Sequence, residues 1–178
     1  MAASTGLRCS ELFALRWLDF DWEGLTVLVR RAIVDGRVGE VKTKYSHSGL
    51  PLDPSLAEIL FAWKRKSQFG QDDDWIFASL QKAGELPLRS TKILENHIRP
   101  AAIRAGLGNN VGWHTFRHTY SSMLREIGVD LKVQQELLRH ADIRTTMNIY
   151  TQAVSEQKPG GPFQGRPHGA RLGKKEKK

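Results

Sequence analysis

The chain has 178 residues, 40% of them hydrophobic, enough to bury one sizeable core and too few for two ordinary domains with linkers. Its net charge of +8 points to a polyanionic partner only weakly, because residues 158–178 hold seven Lys or Arg against one Glu and carry +6 of it, leaving +2 on the other 157 residues. A single cysteine, Cys9, excludes an internal disulfide and a cysteine zinc ribbon; no run reaches the roughly 18 apolar residues of a membrane span and no secretory signal pattern is expected at the start, so the cytoplasm is the expected location.

Thr5 and Gly6 read as a turn, followed by a short helix over 10–18 with Leu12, Leu15 and Leu18 at helical spacing, which places Arg8 at a turn-to-helix junction. From Leu25 the texture becomes β-rich. Residues 26–29, 38–43 and 49–52 predict a small three-stranded antiparallel sheet, with Asp35-Gly36 as a hairpin turn and Lys42 and Lys44 at the second turn. Pro54 suits a first helical turn, and Leu56, Ile59, Leu60 and Trp63 give that helix an apolar face. After an acidic loop at 72–74, Trp75-Ile76-Phe77 reads as a short buried segment, 90–105 as a helix interrupted near Pro100, and 106–112 as a loop. A helix over 114–127 follows, with Phe116, Tyr120, Met123, Leu124 and Ile127 as its core stripe and Gly128 as its stop. Asp130 caps a second helix ending near Arg139, and Asp142 a third that carries Thr145, Thr146 and Tyr150. The Pro-, Gly- and Lys-rich stretch beyond Gln157 predicts a disordered basic tail. The class expected is α+β, mainly α, with the small sheet on one side.

Arg8, Arg117, His114, His140, Lys42 and Tyr150 together suit attack on a phosphodiester. Transesterification needs charge neutralisation on the non-bridging oxygens, and the planar guanidinium forks of Arg8 and Arg117 match phosphate and stay protonated. A tyrosine of ordinary pKa about 10 is ionised to about one part in a thousand at neutral pH, so Tyr150 needs a base or acceptor, for which His114 is the candidate. The leaving hydroxyl needs a proton, which Lys42 or Lys44 could supply, and His140 could donate a further hydrogen bond to phosphate. The scheme requires no metal or cofactor. His114 and His118, four apart on a helix, have a zinc-compatible spacing that His140 could complete, but the glutamate of the usual metal motif is absent; His118 reads instead as a structural residue facing the neighbouring helix. Cys9 is the weakest nucleophile, with Arg8 beside it and no obvious base.

These residues arrive in the order of a known family. Thr-Gly-Leu-Arg-Cys-Ser-Glu-Leu surrounds Arg8, and Lys-Thr-Lys at 42–44 leads to Leu-Pro-Leu at 50–52; His-Thr-Phe-Arg-His-Thr spans 114–119, and Leu-Leu-Arg-His at 137–140 runs on to Thr-Thr-Met-Asn-Ile-Tyr-Thr ending at 151. Over about residues 5–152 the chain resembles the catalytic domain of the tyrosine recombinases of the phage-integrase type. The resemblance implies Arg8 and Arg117 as phosphate clamps, Lys42 as general acid, His114 as base or hydrogen-bond partner, His140 as phosphate donor, Tyr150 as nucleophile and Glu11 as acidic helper. It implies a 3′-phosphotyrosyl intermediate with a free 5′-hydroxyl on double-stranded DNA, formed by four protomers together, serving integration or excision of mobile DNA. Lys44, Arg139 and Arg144 are expected DNA contacts. Arg139 stands where the family usually has glycine, which alters the turn or adds a phosphate contact. Relatives carry a DNA-binding domain and further helices ahead of the first arginine, so a truncated catalytic domain over 1–157 with a tail at 158–178 is expected. A type IB topoisomerase and a non-catalytic DNA-binding remnant are the rival readings.

Overall fold

The computed structural model describes residues 1–41 and 49–147. Lys42, Lys44, Tyr150 and the basic tail lie outside the described residues. In chain order the elements are α1 (Ala2–Thr5), α2 (Cys9–Leu12), β1 (Phe20–Asp21), β2 (Thr26–Val27), β3 (Arg31–Val34), β4 (Arg37–Glu40), β5 (Leu50–Pro51), α3 (Pro54–Lys66), α4 (Ser90–Ile93), α5 (Arg99–Arg104), α6 (Trp113–Glu126) and α7 (Leu131–Leu137). A further helical stretch occupies 143–147. The fold is mainly helical with a small antiparallel sheet, as the sequence predicts.

The core gathers Leu7, Leu12, Phe13, Leu15 and Trp17 from the N-terminal segment against Phe20, Val27, Leu50 and Leu52 of the sheet region and Ala57 and Leu60 of α3. Phe13, Leu15 and Trp17 are all buried, which no single helical face permits, and the predicted helix over 10–18 accordingly stops after one turn. Cross-chain backbone bonds then take over. Trp17 N–H donates to the Asp74 carbonyl at 3.2 Å, Leu18 N–H to Asp72 at 2.8 Å and Ile76 N–H to Leu15 at 3.1 Å, so the 72–76 segment satisfies groups that a longer helix would have paired internally.

The sheet differs from the expected one in membership. β1, β2 and β5 form the three-stranded sheet, with Phe20 opposite Val27 and Val27 opposite Leu50, while β3 and β4 pair only with each other. Asp35 and Gly36 both adopt positive φ, the two-residue turn expected of that dipeptide. All four residues of β4 are exposed, so no burial draws the hairpin into the larger sheet.

Asp53 caps α3 by accepting from the Ser55 and Leu56 N–H groups, with Pro54 in the first turn. The predicted apolar face of α3 is only partly covered: Ala57 and Leu60 are buried, whereas Ile59 is 65% exposed. Between α4 and α5 the chain passes through a π-helical turn, Leu94–Ile98, which ends two positions before Pro100, whose missing N–H and ring disfavour a regular α-turn there. In α6 the buried residues are Arg117, Ser121 and Leu124, while Met123 and Ile127 of the expected core stripe are exposed. The helix therefore turns a polar side chain inward, and that inward arginine defines the site.

Candidate phosphodiester site

Gly6, at φ +60°, ends α1, and a Cβ there would lie 2.4 Å from the Tyr120 ring, so this turn packs directly against α6. Arg8 follows in an extended conformation and heads α2. Its N–H donates to Glu11 Oε2 at 3.0 Å and its Nη1 to Glu11 Oε1 at 3.2 Å, so one buried carboxylate both caps the helix and holds the guanidinium.

Arg117 reaches the same place from α6. Its side chain is buried; Nη1 donates to the Gly6 carbonyl and Nη2 to the Leu138 carbonyl. Arg8 donates to the next carbonyl, that of Arg139, at 3.3 Å from Nη2 and 3.4 Å from Nη1. Residues 138 and 139 close α7, where helical carbonyls have no intrahelical partner, and two guanidinium groups 109 positions apart in the chain satisfy them. Burial pushes the Arg117 guanidinium down to about 10, helped by the neighbouring charges of Arg8 and Arg139 and opposed by Glu11. It remains charged at neutral pH.

His140 comes next in the chain and is 3% exposed. Its Nδ1 lies 2.8 Å from Thr146 Oγ1, and its carbonyl accepts from Gln135 Nε2 at 3.0 Å. Burial, then the charges of Arg117, Arg8 and His118, pulls the imidazole down to about 4, so it is neutral at pH 7. When the Thr146 hydroxyl donates to Nδ1, the proton sits on Nε2, which can then donate a hydrogen bond to an anion.

Arg139 sits at φ +55°, left-handed backbone that a side chain rarely adopts. Its guanidinium turns inward: Nε is 3.8 Å from Glu11 Oε1 and Nη2 donates to the Val29 carbonyl at 3.5 Å. The backbone thus takes a conformation that favours glycine, and the side chain expected at phosphate is instead buried beside Glu11. Arg144 is the opposite case, its side chain 85% exposed with Asp142 as neighbour. His114 and His118 are both exposed; His118 is therefore not packed as the structural residue expected, although it lies near enough to His140 for its charge to act there, and His114 lies on the first turn of α6, whose start Thr115 secures by accepting the Gly112 N–H. Among the described residues no three His, Cys, Asp or Glu side chains cluster as a metal site. Burial pushes the Cys9 thiol up, which disfavours its thiolate.

Sequence reasoning missed the Glu11–Arg139 pair and the Thr146 contact to His140. Only adjacency to the Leu-Leu-Arg-His motif hinted at either. It read Gly6 as a turn but missed its carbonyl as an acceptor for Arg117 and its packing against Tyr120.

Residues 1–157 match the phage integrase family. The tyrosine recombinase XerD of Brucella suis biovar 1 is 36% identical over 159 residues, covering 86% of this chain and 46% of that protein. XerC of Xanthomonas campestris pv. campestris strain B100 is 35% identical over 148 residues, covering 83% of this chain and 41% of that protein. The Tn1549 transposon integrase, solved in complex with transposon right end DNA, superposes with a TM-score of 0.70 at 20% identity, covering 89% of this chain and 56% of that one. The XerA recombinase gives a TM-score of 0.61 at 20% identity, covering 90% and 55% respectively. The chain spans about half the length of the curated relatives it matches. The matches agree with the arginine pair, the Leu-Leu-Arg-His turn and the mainly helical fold, and the chain belongs to the phage integrase family.

Proposed function

We propose that this chain is the catalytic part of a tyrosine-type site-specific DNA recombinase, which cuts and rejoins DNA strands during integration or excision of mobile DNA. One observation carries the reading: Arg8 and Arg117 end on the adjacent carbonyls of residues 138 and 139, next to a neutral His140. Three hydrogen-bond donors from distant parts of the chain thus gather at one place, as stabilising a pentacoordinate phosphorus requires. The relatives named as tyrosine recombinases and the solved integrase bound to DNA support double-stranded DNA as the substrate.

In this mechanism the Tyr150 oxygen attacks the scissile phosphorus and its proton passes to an acceptor, the role this reading gives to His114. Arg8 and Arg117 carry the charge on the non-bridging oxygens, and His140 donates to one of them. The P–O bond to the 5′ oxygen breaks, Lys42 or Lys44 gives that oxygen its proton, and a 3′-phosphotyrosyl linkage remains. Attack by another 5′-hydroxyl reverses the step without an external energy source, because the phosphoester is conserved. The reading extends to a tetramer on two duplexes, with Arg144 and Lys44 contacting the DNA backbone, and to a cytoplasmic location. Among the described residues no helix is long and apolar enough to cross a membrane.

Nicked duplexes of randomised sequence test this, because a nick beside the cleavage point lets the cut strand diffuse away and traps the enzyme. Covalent protein–DNA adduct that disappears in Tyr150→Phe is the expected result. Salt-sensitive binding without any adduct would instead mark a non-catalytic DNA-binding protein.

A further inference from the structure

Arg139 is a charged residue in a left-handed backbone conformation that disfavours any L-side chain, with its guanidinium buried instead of in solvent. Both costs need an offsetting role. Its backbone supplies the carbonyl on which the Arg8 fork rests, and its side chain approaches the carboxylate oxygen that Arg8 also uses, Glu11 Oε1, at 3.8 Å against 3.2 Å for Arg8. Through the Val29 carbonyl, 110 positions away, Nη2 anchors the same side chain to the segment between β2 and β3.

We propose that Arg139 is a positioning residue that fixes the Glu11 carboxylate and, through it, the direction of the Arg8 guanidinium. With Oε2 tied to the Arg8 N–H, a Glu11 whose Oε1 met only the Arg8 side chain would leave that side chain free to swing. Held by two arginines, with the second tied to the β2–β3 segment, it gives Arg8 a fixed abutment, so the Arg8 fork is set before an anion arrives. The inference rests on the phosphodiester reading only for what Arg8 does once positioned; the tie itself is a property of the fold.

The left-handed backbone makes a clean test available. Arg139→Gly keeps the turn, and with it the carbonyl under Arg8, while deleting only the side chain. Covalent capture with nicked randomised duplexes should show its single-turnover rate constant lowered on the order of tenfold, with duplex affinity changed less than about twofold, and Arg139→Lys should recover part of the loss. In a Glu11→Gln background the same glycine substitution should change the capture rate and the urea midpoint by less than about half of what it does alone. Equal effects of Arg139→Gly with and without the Glu11→Gln substitution overturn the proposal, as does an unchanged capture rate. Coupling in the urea midpoints together with no adduct from the unsubstituted chain supports the Glu11 tie while sinking the cleavage reading, so the two failures are told apart.

Discussion

The chain uses one local device twice, with different results. In Arg8-Cys-Ser-Glu11 and in Arg16-Trp-Leu-Asp19 the acid three residues on accepts the arginine's N–H, at 3.0 and 2.8 Å, and is buried. At the first site the carboxylate also meets the side chains of Arg8 and Arg139, with Arg117 close enough to feel their charges. Three guanidinium groups therefore gather around a single carboxylate, and an anion is the natural complement. At the second site Asp19 is taken by Arg31 at 2.5 Å and approached by Arg30, while the Arg16 side chain leaves to lie over the Trp75 ring at 4.2 Å and beside Asp73. Charges there are closer to balance and the neighbours are core residues. The same capping motif builds a structural joint in one place and a positively charged cluster in the other; what differs is the surplus of arginines brought in from α6 and the end of α7.

Substitutions should separate the two sites. The largest effect is expected for Arg117→Ala, which should lower covalent capture by roughly 10²–10³ while weakening duplex binding far less, as its proposed role at the transition state requires. Equal losses in both would reassign Arg117 to binding. Asp19→Ala should cost about 3 kcal/mol in urea unfolding by stranding Arg31, yet leave the capture rate per folded molecule unchanged. A rate loss there would mean that the second joint also shapes the first.

A pH titration sharpens the contrast further. The unfolded His140 imidazole protonates near 6.5 and the folded one near 4, so the unfolded chain takes up the proton first. The stability contributed by neutral His140 is complete above about pH 6.5, declines as pH falls from 6.5 towards 4, and is gone below. Urea midpoints measured across that window should fall more steeply for the unsubstituted chain than for His140→Gln. The smallest effect is expected from deleting residues 158–178, which should flatten the salt dependence of nonspecific DNA binding and leave the arginine cluster unaffected.

The parts of this fold legible in the sequence were those fixed by local chemistry. Pro54 and Asp130 started helices, Asp35-Gly36 turned a hairpin, and Pro100 disturbed its helix, each through caps or φ restrictions that need no distant partner. Periodicity misled where tertiary contacts overrode it. The helix over 10–18 gave way because the backbone of 72–76 competed for its hydrogen bonds, and Met123 and Ile127 stayed exposed because α6 turns Arg117 into its buried face. Motif order brought Arg8, Arg117 and His140 forward as candidates, but not how they are held. The Arg139 carbonyl under Arg8, the Gly6 carbonyl at Arg117, the Glu11–Arg139 contact and Gly6 against Tyr120 all join positions more than a hundred residues apart, which no local pattern reports.

If Arg8 and Arg117 serve one phosphate, removing either one should already disable the pair. A double-mutant cycle on the capture rate constant, comparing Arg8→Ala, Arg117→Ala and the double variant, tests it most directly. The double variant should be far less impaired than the product of the two single losses, because each single loss leaves the shared clamp incomplete. Losses that multiply would show two arginines working independently and would contradict it.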